Sequence, residues 1–286
     1  MPTEVGTVAE IWRYPVKSMG GERLQTARVG LSGIVGDRGW AVRDEEVGEI
    51  ASAKRLPELL QCAARYLEEP GEDRIPTAEI VFPGGSTLRS DDSRAASHLS
   101  ELVGRRVSLS PIQPKENLEY YRRASRDPAG LERELREVFG LLEGEPLPDP
   151  EEFPEEFIKF ASPPGTHFDA SSLHLITTAS LQAMEESSPG SRWDICRFRP
   201  NIVAAVSDTG KIEAGWCGHR VSLGEISIII DEETIRCVMT TLAQGNLEKD
   251  PKIMRSLVKT ANQNLGVYAS IESFGTIKSD DKITIY

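Results

Sequence analysis

Glycine and proline recur along this chain at intervals too short for long helices, 24 Gly and 18 Pro in 286 residues. Between them lie short runs rich in β-branched and aromatic residues. Residues 8–14 alternate in polarity, residues 40–42 repeat the pattern, and residues 79–82 and 86–88 flank the hairpin-like Pro83-Gly84-Gly85. Apolar residues make up 39% of the chain, enough for a real core. The pattern predicts a β-rich α+β protein, its first part a barrel or sandwich with few helices. One helix is expected where capping and periodicity agree. Asp92 caps a segment running to about Val103, with Ala96, Leu99, Leu102 and Val103 on one face and Gly104 as its stop.

The character changes after residue 111. Leu131, Leu135, Val138 and Phe139 repeat at helical spacing in a strongly charged segment. Residues 143–156 then hold seven carboxylates, four prolines and no Lys or Arg, which reads as a solvated, extended connector. The remainder reads as α+β. Strands are expected at 173–177, 202–206, 221–223, 226–230, 267–271 and 276–285, with a short helix at 179–186. Asp250-Pro251 opens a further helix whose buried stripe is Ile253, Met254, Leu257, Val258 and Ala261, with Gly266 as its stop. The expected division is a barrel-like domain over 1–115, a helical and acidic connector over 116–165, and a second domain over 166–286.

Charge and motif absences narrow the function. The net charge of −12 argues against nucleic acid as a partner, since phosphate backbones need a basic surface. No apolar run reaches the roughly 20 residues of a membrane span, and no secretory leader is visible, so a cytoplasmic protein is expected. The Walker phosphate loop, the dinucleotide fingerprint, the zincin motif and the nucleophile elbow are all missing. The four cysteines, Cys62, Cys196, Cys217 and Cys237, match no zinc or iron–sulfur spacing, so cysteine chemistry must come from single thiols.

Four stretches set cationic or hydroxyl side chains among rigid apolar neighbours: Tyr14-Pro15-Val16-Lys17-Ser18, Gly36-Asp37-Arg38-Gly39-Trp40, Arg197-Phe198-Arg199-Pro200-Asn201 and Arg236-Cys237-Val238-Met239-Thr240-Thr241. Partly buried cations need a carboxylate or a bound anion, so each stretch is either a structural salt bridge or part of an anion site. Arg236 favours the thiolate of Cys237, the form that binds metals, although a lone cysteine also serves as a small buried hydrophobe. The histidines organise no site by spacing. A nucleophile pair of Cys237 with His174 is conceivable on paper only.

Taken together, and with Gly266-Val267-Tyr268, Gly275-Thr276-Ile277 and residues 8–18, these stretches resemble the molybdenum cofactor sulfurase C-terminal (MOSC) family with its N-terminal β-barrel domain. The resemblance implies a fold in which that barrel-like domain packs on a MOSC β-barrel with a few flanking helices. It also implies a molybdenum cofactor (Mo-molybdopterin). In the related amidoxime-reducing proteins a cysteine thiolate ligates molybdenum, and Cys237 stands at that position as catalytic residue and metal ligand. Lys17, Ser18, Arg38, Arg199, Asn201, Arg236 and Tyr268 match positions that bind the pterin and its phosphate. Ser52, Thr177 and Thr178 match as further hydroxyl donors. The implied function is an oxidoreductase that reduces N-hydroxylated or N-oxygenated small molecules by oxo transfer. Its electrons would come from a separate donor protein, a reductase or a ferredoxin or cytochrome b5-type carrier. A non-catalytic cofactor carrier, or a sulfur carrier with a persulfide on Cys237, is the alternative.

Overall fold

The computed structural model describes residues 1–72, 74–125, 128–145 and 155–286. Most of the acidic, proline-rich stretch expected as a connector, residues 146–154, lies outside the described residues. The protein is β-rich and built on a closed barrel of seven strands. Thr3–Arg13 pairs with Ile202–Val206, which lies parallel to Leu173–Thr177; Asn264–Ser273, Ile226–Ile235, Arg220–Leu223 and Lys282–Ile285 follow, and the last returns to Thr3–Arg13. The first strand of the chain is therefore a stave of a barrel otherwise made from the second half. The C-terminal strand Gly275–Lys278 answers it by pairing with Thr26–Gly30.

Alternation explains what the barrel holds and what it displays. Leu173 and Leu175, Ile202 and Ala204, Ile228 and Ile230, and Val267 and Ala269 all point into one apolar core. Their neighbours point out. Ile176 and Val203 meet Met184, Ile253 and Leu257, so the helices Thr178–Ser187 and Lys252–Ala261 cover the outer wall. His174, Asn201 and Tyr268 share that outward parity, and His174 lies directly opposite Tyr268 in the sheet register.

The N-terminal half has its own core of Val16, Met19, Trp40, Leu59, Ile80 and Leu99, among others. The helix Ser93–Val103 is capped by Asp92 and stopped by left-handed Gly104, as the sequence predicts. The charged segment forms the helix Pro128–Phe139. One expectation shifts: Lys252–Ala261 ends at left-handed Asn262, and Gly266 lies within the strand Asn264–Ser273.

Candidate functional site

Tyr14 to Ser18 leave the end of the first barrel strand and zip against Trp40. Lys17 N–H donates to the Trp40 carbonyl at 2.9 Å, and Trp40 N–H to that of Pro15 at 3.0 Å. Arg38 N–H donates to the Tyr14 carbonyl at 2.7 Å. Asp37, its carboxylate sealed from solvent, then ties the two halves together. It accepts from Tyr14 N–H at 2.7 Å and from Asn201 Nδ2 at 3.0 Å, and it pairs with Arg38. Asn201 Oδ1 accepts from His174 N–H at 3.1 Å, so this amide braces the barrel wall against the N-terminal turn.

Three site residues adopt the left-handed conformation that side chains usually avoid: Ser18, Arg38 and Arg199, at φ 68°, 53° and 53°. Each costs roughly 1–3 kcal/mol and persists only where its surroundings dictate it. At Arg199 the cause is partly local, because Pro200 disfavours the right-handed helical region for the residue before it. The guanidinium groups of Arg38 and Arg199 both stack on Tyr14, 5.2 and 4.2 Å from the ring centre. Ser18 Oγ accepts from Ala53 N–H at 2.9 Å, anchoring the loop that carries Ser52 and Lys54.

These turns gather five cations, Lys17, Arg38, Lys54, Arg199 and Arg236, about a small number of carboxylates. Asp169 bridges Lys17 at 3.2 Å and Lys54 at 3.7 Å. Lys17 also donates to Ser162 Oγ at 3.1 Å and to the His167 carbonyl at 2.8 Å. Burial pulls the Lys17 amine down to about 8. Burial also raises the Asp169 carboxyl, but Lys17, Lys54 and Arg38 outweigh it and hold it far below its ordinary range. Arg199 and Arg236 are each pulled down by burial to about 10, so both stay charged at neutral pH.

Arg236 donates from Nε to the Leu265 carbonyl at 2.7 Å and from Nη1 to that of Phe198 at 3.2 Å, and Nη2 reaches His174 Nε2. Cys237 follows at once, half-buried against Ala53, Leu60 and Met239. Its sulfur is within electrostatic reach of Lys54, Arg236 and Tyr268. The thiol thus shares one cluster with Lys17, through Lys54 and Asp169.

Other candidates lie differently. Ser52 is half-buried beside Ala53. Thr177 Oγ1 donates to Glu213 Oε2 at 2.8 Å and accepts from Ser180 N–H at 3.0 Å, which makes it the cap of helix Thr178–Ser187, and Thr178 is exposed on that helix's first turn. With its Nε2 facing Arg236, His174 has no lone pair left there to serve Cys237 as a base. Lys54, Asp169 and His167 join the cluster without having been singled out as site residues. Lys54 and Asp169 carry no local signal, because only the folded chain brings them to Lys17.

The donor set suits an anion. Counting Glu213, which lies behind Arg236, five cations face three carboxylates. Arg199 Nη2 is buried without a hydrogen-bond partner among the described residues. A buried, unpaired guanidinium N–H is costly unless a ligand acceptor completes it.

The barrel and the N-terminal domain packed on it each match a known domain model. A model of the MOSC domain matches residues 164–284, and one of the MOSC N-terminal beta barrel domain matches residues 5–102. The chain belongs to the MOSC family. Over 98% of its length it is 24% identical to mitochondrial amidoxime-reducing component 1 of Homo sapiens and to mitochondrial amidoxime reducing component 2 of Bos taurus, and it covers 83% of each. The solved YuaD protein of Bacillus subtilis is similar at a TM-score of 0.45 and 9% identity, covering 100% of this chain and 97% of that one. Among the described residues, no helix is long and apolar enough to cross a membrane.

Proposed function

We propose that the cationic seam binds the molybdenum cofactor and that the protein is a reductase of N-hydroxylated or N-oxygenated small molecules. The observation that carries this reading is the excess of buried cations, with Arg199 Nη2 lacking a hydrogen-bond partner among the described residues, in a cluster whose Lys54 and Arg236 lie by the half-buried thiol of Cys237. Arg38, Arg199 and Arg236 would hold the phosphate and pterin as charge-assisted donors, aided by the charge of Lys17 and by Tyr268, while Ser18 and Asn201 brace the turns that carry them. The Cys237 thiolate is a soft ligand suited to the metal. Among the described residues no group of three or more His, Cys, Asp and Glu side chains could hold a bare ion. A metal bound through Cys237 must therefore bring most of its ligands with it, as a chelated cofactor does.

When bound, the cofactor supplies a two-electron centre that can take oxygen from nitrogen. For an amidoxime the balance is one N–O bond broken, two electrons and two protons consumed, and amidine plus water formed. The electrons would come from a separate redox protein. A cavity of about 250 Å³ lies between Lys54 and Arg55 on one side and the helix Pro128–Phe139 on the other, with Arg133, Glu134 and Glu137 in its lining. The four free cysteines fit a reducing compartment.

The test is a turnover assay. Cofactor-loaded protein with a chemical electron donor should convert benzamidoxime to benzamidine, and Cys237→Ala should lose at least about 100-fold in rate, as expected when a group that supports the reaction centre is removed. Loaded wild type that reduces no amidoxime, hydroxylamine or hydroxylated base defeats the reductase reading. Retained cofactor without turnover, or a one-sulfur mass increase on Cys237, supports the carrier alternative.

A further inference from the structure

We propose that His167 and His174 are positioning residues, neutral imidazoles that fix the anion-binding arginines before a ligand arrives. His167 acts through the backbone of Arg38 and His174 through the guanidinium of Arg236. The ligand's identity rests on the cofactor reading above; the geometry does not.

His167 sits where three pieces of chain meet. Its Nδ1 lies 3.2 Å from the Arg38 carbonyl, its Nε2 lies 3.2 Å from the Tyr120 hydroxyl, and its own carbonyl accepts from Lys17 Nζ at 2.8 Å. A carbonyl only accepts, so Nδ1 carries a proton, and in the neutral ring that burial favours Nε2 accepts from Tyr120 O–H. The imidazole thereby pins left-handed Arg38, while the backbone carbonyl of His167 holds Lys17. Its link to Tyr120 extends the brace into the segment between the two halves.

His174 repeats the logic on the barrel wall. Arg236 Nη2 is a donor, so His174 Nε2 must present a lone pair, and the proton again belongs to Nδ1. The ring also lies by the Arg199 and Leu265 carbonyls, the first belonging to the second left-handed arginine. Its backbone is locked in turn, with N–H to Asn201 Oδ1 at 3.1 Å and C=O from Asn201 N–H at 2.8 Å. Gly266 guards this contact: at φ 78°, a Cβ there would stand 2.5 Å from His174 Nε2 and 3.2 Å from Arg236 Nη2. Burial and the adjacent cations, Lys17 at His167 and Arg236 at His174, keep both rings neutral.

The experiment separates positioning from packing. His167→Asn keeps a donor near Nδ1 and His174→Gln keeps an acceptor near Nε2, whereas the Leu variant at each position fills space without either. Inorganic phosphate binding to cofactor-free protein is measured by calorimetry, beside pterin fluorescence per chain after expression in a cofactor-producing host. Each Leu variant should weaken phosphate binding at least about tenfold and lose most pterin, with Asn and Gln recovering to within about threefold of wild type. Leu variants that bind like wild type, or Asn and Gln variants that fall as far as Leu, overturn the proposal. Imidazole ¹⁵N shifts of the wild type give a reading that needs no variant. Both rings should show the neutral Nδ1–H tautomer from pH 5 to 8, and an Nε2–H tautomer or a titration in that range overturns the proposal as well. Wild type that binds phosphate in this histidine-dependent way yet carries no pterin would sink the cofactor reading and leave the positioning role standing.

Discussion

Lys17 brings a charge into a place from which water has been removed. Because burial lowers its amine to about 8 from an ordinary 10.5, the folded protein disfavours the charged form. The unfolded chain therefore binds more protons between those values, and the Lys17 contribution to stability is at its worst below pH 8 and improves as pH rises towards 10.5. Anion binding runs the other way, since it needs the charge. Sulfate, a dianion throughout this range, should bind cofactor-free protein more weakly as pH passes through about 8, and Lys17→Met should bind weakly with that step absent. An affinity that holds from pH 7 to 9.5 in the wild type would remove Lys17 from the anion site.

At the scale of elements, the sequence is most readable where structure is local. Asp92 and Gly104 bracket their helix in sequence and in space, and Pro83-Gly84-Gly85 turns between Ala78–Val81 and Thr87–Arg89. Gly266 misleads because a glycine after an apolar stripe reads as a helix stop, whereas Asn262 makes the left-handed turn and Gly266 clears room for His174 and Arg236. Thr177 illustrates a hydroxyl whose work is invisible in one dimension. It caps a helix with help from Glu213, which is 36 positions away. Thr177→Ala should cost about 2 kcal/mol in urea unfolding, by losing the cap and stranding a buried carboxylate, and Thr177→Ser should recover most of it. Equal losses for Ala and Ser would mean that the methyl group, not the hydroxyl, matters there.

Over the whole molecule, the site exists because the two ends of the chain are interwoven. The strand Thr3–Arg13 closes a barrel made from the second half, and Gly275–Lys278 pairs with Thr26–Gly30 from the first. That exchange carries Lys17 and Arg38 onto the wall that presents His174, Asn201 and Tyr268, with Asp37 as the joint. The four motif stretches suggest an anion site only as a set, since each alone reads more simply as a structural salt bridge. Asp169 and Lys54 were not legible, because neither is marked by its neighbours in sequence. A cofactor held across this seam should depend on both halves at once. The most direct measurement is molybdenum and pterin per chain in protein from a cofactor-producing host, for wild type, Cys237→Ala and Arg38→Met. The wild type should carry near-stoichiometric metal and pterin, metal should fall sharply in Cys237→Ala, and both should fall in Arg38→Met. Wild-type protein with neither metal nor pterin, or with metal that Cys237→Ala leaves unchanged, would contradict cofactor binding across this seam.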